Sequence, residues 1–133
     1  MNIENRREML KAYIETNVAP ILIKDIEISS IPDAVMIPAN IDNTLLQGHY
    51  VVDKFVPPKW YEELATKTAK YKYLVIRDID SISKDDQLKF VELLKYRKIG
   101  EFKLDENCVI IITAKEINGD VIASDIYALV AHI

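Results

Sequence analysis

Tyr73-Leu74-Val75-Ile76-Arg77-Asp78-Ile79-Asp80 is the stretch on which the fold of this 133-residue chain turns. Its first four positions are apolar without a break, so both faces of a strand there would be covered. Strands of that kind belong to parallel sheets flanked by helices. Charge begins abruptly at Arg77. Asp78 and Asp80 then emerge at the C-terminal edge of the sheet, where open α/β sheets place their ligands.

Other apolar runs of similar length lie on either side. Ile21-Leu22-Ile23, Ala34-Val35-Met36-Ile37 and Val109-Ile110-Ile111-Ile112-Thr113 all read as strands. Helical patterns fill much of the space between them. Residues 3–17 place Met9, Leu10, Tyr13 and Ile14 on one stripe among charges. Pro57-Pro58 opens a helix that carries Trp60 and Leu64 inward and runs to about Lys70, because proline suits a first helical turn. Ser83 caps the next helix, with Asp86 in capping-box position, and Phe90, Val91, Leu93 and Leu94 form its buried face. Gly100 follows its basic end at Lys95–Lys98, and a turn or hairpin is expected over Glu101–Asn107. Residues 39–56 read as irregular apart from a short strand at Tyr50–Val52. The tail from Asp120 to Ile133 has helical spacing in Val121, Ile122, Ile126, Leu129 and Val130. The polar stretch with Ser29, Ser30 and Pro32 joins the first two strands. The chain thus reads as one α/β domain over 1–133.

Composition excludes several classes. Half the residues are hydrophobic and 29% are charged, as in ordinary globular domains. The formal net charge of −4 gives no drive toward nucleic acid or membranes. The tract Lys67-Thr68-Ala69-Lys70-Tyr71-Lys72 reads as a solvated helix face. Cys108, the one cysteine, heads an apolar strand and reads as a buried thiol. With no paired-cysteine framework, signal-like segment or long apolar span, a cytoplasmic protein is expected. His49 and His132 lack ligand spacing, so no metal is expected through them.

The order of parts from Pro57 to Lys115 resembles the AAA+ ATPase core, closest to its MoxR-like, dynein-related branch. The resemblance rests on the Pro-Pro-x-Trp helix start, the acidic strand and the Leu93-Leu94 helix running into Arg97-Lys98-Ile99-Gly100. It continues through Leu104-Asp105-Glu106-Asn107 into a strand ending Ile112-Thr113-Ala114-Lys115. It implies a P-loop-hydrolase-like sheet truncated before any helical lid. In that family the acidic strand ends in Asp-Glu, one carboxylate serving Mg²⁺ and the other the attacking water. Here Arg77 and Asp78 stand at those two positions, and Lys115 stands where the family has its sensor Asn. The family's phosphate loop would come after Ile23 as G-x-x-x-x-G-K-[S/T]. The three glycines, Gly48, Gly100 and Gly119, are all elsewhere, and no arginine occurs after Arg97.

These departures imply no ATP hydrolysis and no cofactor. The favoured expectation is a non-catalytic interaction module or pseudo-subunit, with Lys95–Lys98 and the adjoining hairpin as exposed docking elements. Its partner would be a protein, either an intact AAA+ ATPase or another copy, with neither membrane nor nucleic acid involved. The alternative is a nucleotide or metal binder, or an enzyme, with a site rebuilt from Asp78, Asp80 and Lys115. Arg77 is expected to pair with Asp78 or Asp80, because a buried guanidinium without a partner is costly.

Overall fold

The structure, a computed structural model, describes residues 3–17, 19–24, 31 and 33–133. Helix α1 (Ile3–Thr16) precedes strands β1 (Ile21–Lys24) and β2 (Val35–Pro38). Helix α2 (Asn43–Gln47), the hairpin β3 (His49–Val51) and β4 (Lys54–Val56), and helix α3 (Lys59–Ala65) lead to β5 (Lys72–Arg77). After a 3-10 turn at Ile79–Ser81 come α4 (Lys84–Gln87) and α5 (Val91–Tyr96), separated by a second 3-10 turn, Leu88–Phe90. A small hairpin, β6 (Lys98–Ile99) and β7 (Phe102–Lys103), precedes β8 (Cys108–Ala114). Helix α6 (Ser124–Tyr127) and β9 (Ala131–His132) end the chain.

Among the described residues five strands form one sheet in the order β2-β5-β8-β1-β9, every neighbouring pair parallel. The unbroken apolar runs explain the centre: all seven residues of β8 are buried, with β5 beside it in the expected parallel register. Alternate side chains supply two cores. On one face Leu22, Ile37, Leu74, Ile76, Ile110 and Ile112 meet Trp60, Leu64, Phe90, Leu93 and Ile126 from the helices. On the other, Ile21, Ile23, Val75, Val109 and Ile111 meet Ile31 and the α1 stripe of Leu10, Tyr13 and Ile14.

Strands β1 and β2 are separated in the sheet by β8 and β5, a lateral gap of roughly 14 Å at the usual strand spacing. Residues 25–34 are the chain's link across it. The Ser29, Ser30 and Pro32 stretch of that crossing lies outside the described residues.

Several expected elements differ. Helix α3 stops at Ala65, not near Lys70, because the Thr66 hydroxyl donates back to the Glu63 carbonyl at 2.7 Å and closes the turn. Lys72 consequently begins β5 and is buried, ion-paired to Asp105 at 2.5 Å rather than solvated on a helix. The helix of residues 84–98 is split by its 3-10 turn. Arg97, in left-handed conformation at φ 54°, closes α5 in place of Gly100. Its guanidinium donates to the carbonyls of Asp105 (3.1 Å) and Cys108 (2.6 Å), which holds the turn. Gly100 instead turns the β6–β7 hairpin at φ 56°, so that hairpin lies at Lys98–Lys103 rather than Glu101–Asn107. Residues 39–56 are ordered as α2, capped by Asp42 accepting from the Thr44 amide at 2.8 Å, and the β3–β4 hairpin. The tail is mostly not helical. The open edge of β1 recruits it as β9, with the Ala131 and Ile133 amides donating to the Pro20 and Leu22 carbonyls.

Candidate functional site at the sheet edge

Strands β5 and β8 end side by side, so the residues singled out at their C-terminal ends meet in space. The Ile76–Ile112 pairing puts Arg77, Asp78 and Asp80 beside Thr113, Ala114 and Lys115. Asp78 turns the chain in left-handed conformation (φ 57°), a region aspartate tolerates better than most residues. Its amide donates to the Thr113 hydroxyl at 3.0 Å, and its carbonyl accepts from the Ser81 amide and hydroxyl at 2.9 and 2.6 Å. Asp80 reaches across the edge. One of its carboxylate oxygens, Oδ2, accepts from the successive backbone amides of Lys115 and Glu116, both at 3.1 Å. That carboxylate thus fastens the loop after β8 to the turn after β5.

Arg77 does not close this site. Its side chain is exposed and makes no ion pair among the described residues, against the expectation of a bond to Asp78 or Asp80. The reason is register: the covered part of β5 ends at Ile76, so the guanidinium leaves the sheet into water without desolvation. Lys115 is likewise exposed, and only its backbone engages Asp80. Among the described residues no group of three or more His, Cys, Asp or Glu side chains is arranged to hold a metal ion. His132 lies against the Tyr127 ring at 4.4 Å, while His49 begins the β3–β4 hairpin. Cys108 is fully buried, and burial pushes its thiol up to about 11, with nearby Arg97 offsetting part of the rise. A thiol so held is not a nucleophile near neutral pH.

The chain matches no family model and no curated protein sequence. No described helix is long and apolar enough to cross a membrane.

Two further features have no signal in the sequence. A groove of about 720 Å³ opens beside the edge between α4 and α6, lined by Lys84, Asp85, Leu88, Ile122, Ser124 and Tyr127 among others. Ala123 in its wall is held from beneath by Gln87, which is 0% exposed. The Gln87 amide nitrogen donates to the carbonyls of Ile82 (3.2 Å) and Val121 (2.6 Å), and its oxygen accepts from the Ala123 amide at 2.8 Å. A glutamine in a charged helical turn reads as surface, and nothing local reveals that it is buried.

The other feature is an aromatic chain joining the two hairpins to α3. Ring centroids step from Tyr50 to Phe55 (5.2 Å), Phe55 to Phe102 (5.6 Å), Phe102 to Tyr61 (5.5 Å) and Tyr61 to Trp60 (6.1 Å). The Trp60 indole is anchored by donation to the Leu46 carbonyl at 2.9 Å. The Phe55 ring lies over Gly100, where a Cβ would fall 2.7 Å from it. At the far end of the β3–β4 hairpin Tyr50 and Val51 are exposed, and Val52 is 91% exposed with φ 58°. Two-residue hairpin turns favour Gly, Asn or Asp where φ is positive. A β-branched residue there is an outlier.

Proposed function

We propose that this chain is a non-catalytic protein-interaction module, an AAA+-like pseudo-subunit whose sheet is a scaffold and whose hairpins are the contact elements. The observation that carries this reading is the hairpin tip. Val52 combines near-complete exposure of an apolar side chain with a backbone conformation that glycine would fill at less cost. Neither property serves the fold, and strained exposed apolar residues are characteristic of contact sites. The aromatic chain from Tyr50 to Trp60 ties the tip to the sheet cover, so a load on the tip reaches the core.

The edge chemistry supports the non-catalytic half of the reading. Asp80, which a rebuilt nucleotide or metal site would need, already holds two backbone amides through Oδ2. A cation at the Arg77 position repels Mg²⁺, and the AAA+ resemblance supplies no other ligand there. The partner in this reading is an intact AAA+ ATPase or another copy of the chain.

The test uses a photo-crosslinking residue at position 52 and, as a control, at exposed Glu8 on α1. A discrete protein adduct from position 52 and none from position 8, in the native cell, is expected. Equal or absent adducts would remove the tip from the proposal. In parallel, Mg-ATP should leave the thermal midpoint unchanged. A specific nucleotide binder at about a hundred-fold excess over Kd would gain roughly 2.7 kcal/mol, several degrees in a domain of this size, and would favour the rebuilt site instead.

A further inference from the structure

Asn118 and Gly119 lie in the exposed loop between the Asp80-held end of β8 and helix α6. Three backbone amides are directed onto the two oxygens of Asn118. The side-chain Oδ1 accepts from the Asp120 amide at 2.8 Å, and the main-chain carbonyl accepts from the amides of Val121 (3.3 Å) and Ile122 (3.0 Å). The Gly119 amide makes no hydrogen bond among the described residues. Gly119 is exposed, and a Cβ built there would meet nothing within 4 Å, so the space beside its Cα is open.

This arrangement has a chemical meaning. When the Gly119 amide loses its proton, the charge delocalises onto the Asn118 carbonyl oxygen, which two donors already face. When that nitrogen adds to the Asn118 side-chain carbon Cγ, the charge moves to Oδ1, which the Asp120 amide faces. Donors fixed where charge develops lower the barrier to an acyl transfer, and joining adjacent residues removes the cost of bringing reactants together. Glycine at the attacking position adds no side chain to obstruct the approach.

We propose that Asn118-Gly119 is a self-modifying site, where the folded chain converts Asn118 through a cyclic imide to aspartate and isoaspartate. The Gly119 nitrogen bonds to Cγ of Asn118, the bond from Cγ to the side-chain nitrogen breaks, and that nitrogen leaves as ammonia. Water then opens the five-membered imide at either carbonyl. Opening at the side-chain carbonyl gives aspartate, and opening at the main-chain carbonyl gives isoaspartate, with the backbone running through the former side chain. One water enters, one ammonia leaves, and nothing is oxidised or reduced.

The product has a structural consequence because of the residues next in the chain. The isoaspartyl form lengthens the backbone just before Val121 and Ala123, whose carbonyl and amide are bonded by buried Gln87. It also moves the carbonyl that now accepts from Val121 and Ile122. Both products add a negative charge to a loop that already contains Asp120. Gly119 borders the groove beside α6, so the conversion alters that wall as the protein ages.

The test is incubation of the intact native protein in mildly alkaline, heavy-oxygen water, with peptide mapping afterwards. Parallel samples are the same chain unfolded in urea and the Gly119→Ala variant, whose added methyl has room in the fold. The other asparagines, none with glycine after it, are internal controls. Heavy-oxygen incorporation at position 118 of the native protein is expected, faster at higher pH and with isoaspartate among the products. Gly119→Ala should slow it several-fold, and the converted fraction should melt at a lower temperature than the unconverted one. Conversion confined to the urea-unfolded chain, or an unchanged rate in Gly119→Ala, would overturn the proposal.

Discussion

Among the described residues, the two faces of the sheet are covered by different amounts of structure. Helices α2, α3, α5 and α6, the β6–β7 hairpin and most of the tail cover one face, where side chains such as Phe90, Leu93 and Ile126 are essentially inaccessible. The other face rests on α1 and Ile31, and the α1 residues that touch it are only half-buried. A groove of about 500 Å³ remains there between α1 and the rings of Tyr71 and Tyr73. Met36, which the alternation of β2 places on this thinner side, is 44% exposed. Among the described residues the deeper cover therefore lies on one side, and α1 belongs to the shallower one.

The sharpest way to break that contrast is truncation. Phe90→Ala removes a fully buried ring and should cost about 3–5 kcal/mol in denaturant unfolding. Leu10→Ala on α1 removes a half-buried side chain and should cost about 1 kcal/mol. Amide exchange should keep the same order, with α1 exchanging through local opening and β5 and β8 only through global unfolding. Equal losses from the two substitutions, or equal protection of α1 and β8, would make the faces equivalent.

Next in size is the polar clamp on the thick side. Gln87→Leu keeps the volume but leaves the Ala123 amide and the Val121 and Ile82 carbonyls without their Gln87 partners. An unsatisfied buried group costs about 1–3 kcal/mol; the Ala123 bond is fully buried and the bonds to the two carbonyls only partly so, and a loss of about 2–3 kcal/mol in total is expected by chemical denaturation. A neutral result would show that water replaces the glutamine, and that the groove beside it is wetter than its packing suggests.

How much of this is legible in the sequence depends on where the information lies. Strands β5 and β8 are legible because four or more successive apolar residues permit little else, and their adjacency places Arg77, Asp78, Asp80 and Lys115 at one edge. The Ser83 cap is legible because it acts within one turn, through the Asp86 amide at 3.1 Å. Strand β9 is not, since two residues become a strand only because β1 offers an open edge. The β3–β4 hairpin is hidden because its turn carries Val52 in place of the usual Asn-Gly signal. The freedom of Arg77 and the tethering role of Asp80 depend on how far the cover extends and on a loop 35 residues later, neither of which is local. The positions of the candidate site are therefore readable, and its bonding is not.

Titration gives a smaller test of the same asymmetry. Cys108, inside the thick core, has its thiol raised to about 11 from an ordinary value of 9.0, chiefly by burial. Tyr73, on the thin side, is also raised by burial, with Tyr71 adding to it. For such groups the folded state keeps its proton while the unfolded chain releases it, so their contribution is whole below the unfolded value. It falls as pH rises from about 9 to about 11 for Cys108, by about 1.4 kcal/mol per pH unit. Cys108→Ala should flatten the alkaline limb of stability against pH, even though the truncation lowers stability at neutral pH. An unchanged slope would mean that the thiol ionises in the folded protein, and that this end of the core admits water.

The smallest effect, and the only one of opposite sign, lies at the point neither face covers. Val52 touches no core, so replacing it removes almost no buried area. At φ 58° an L-residue with a branched Cβ is strained by about 1–2 kcal/mol, which glycine does not incur. Glycine gives back part of that gain through the greater freedom of the unfolded chain, roughly 0.5–1 kcal/mol. Val52→Gly should therefore raise stability by about 0.5–1 kcal/mol in denaturant unfolding. The same change should abolish the crosslinked adduct that position 52 is expected to give, now read from a crosslinker at neighbouring Val51. Gain in stability with loss of contact is the signature of a residue kept for binding. A loss of stability instead would mean that Val52 packs in solution, and the tip would then be part of the fold.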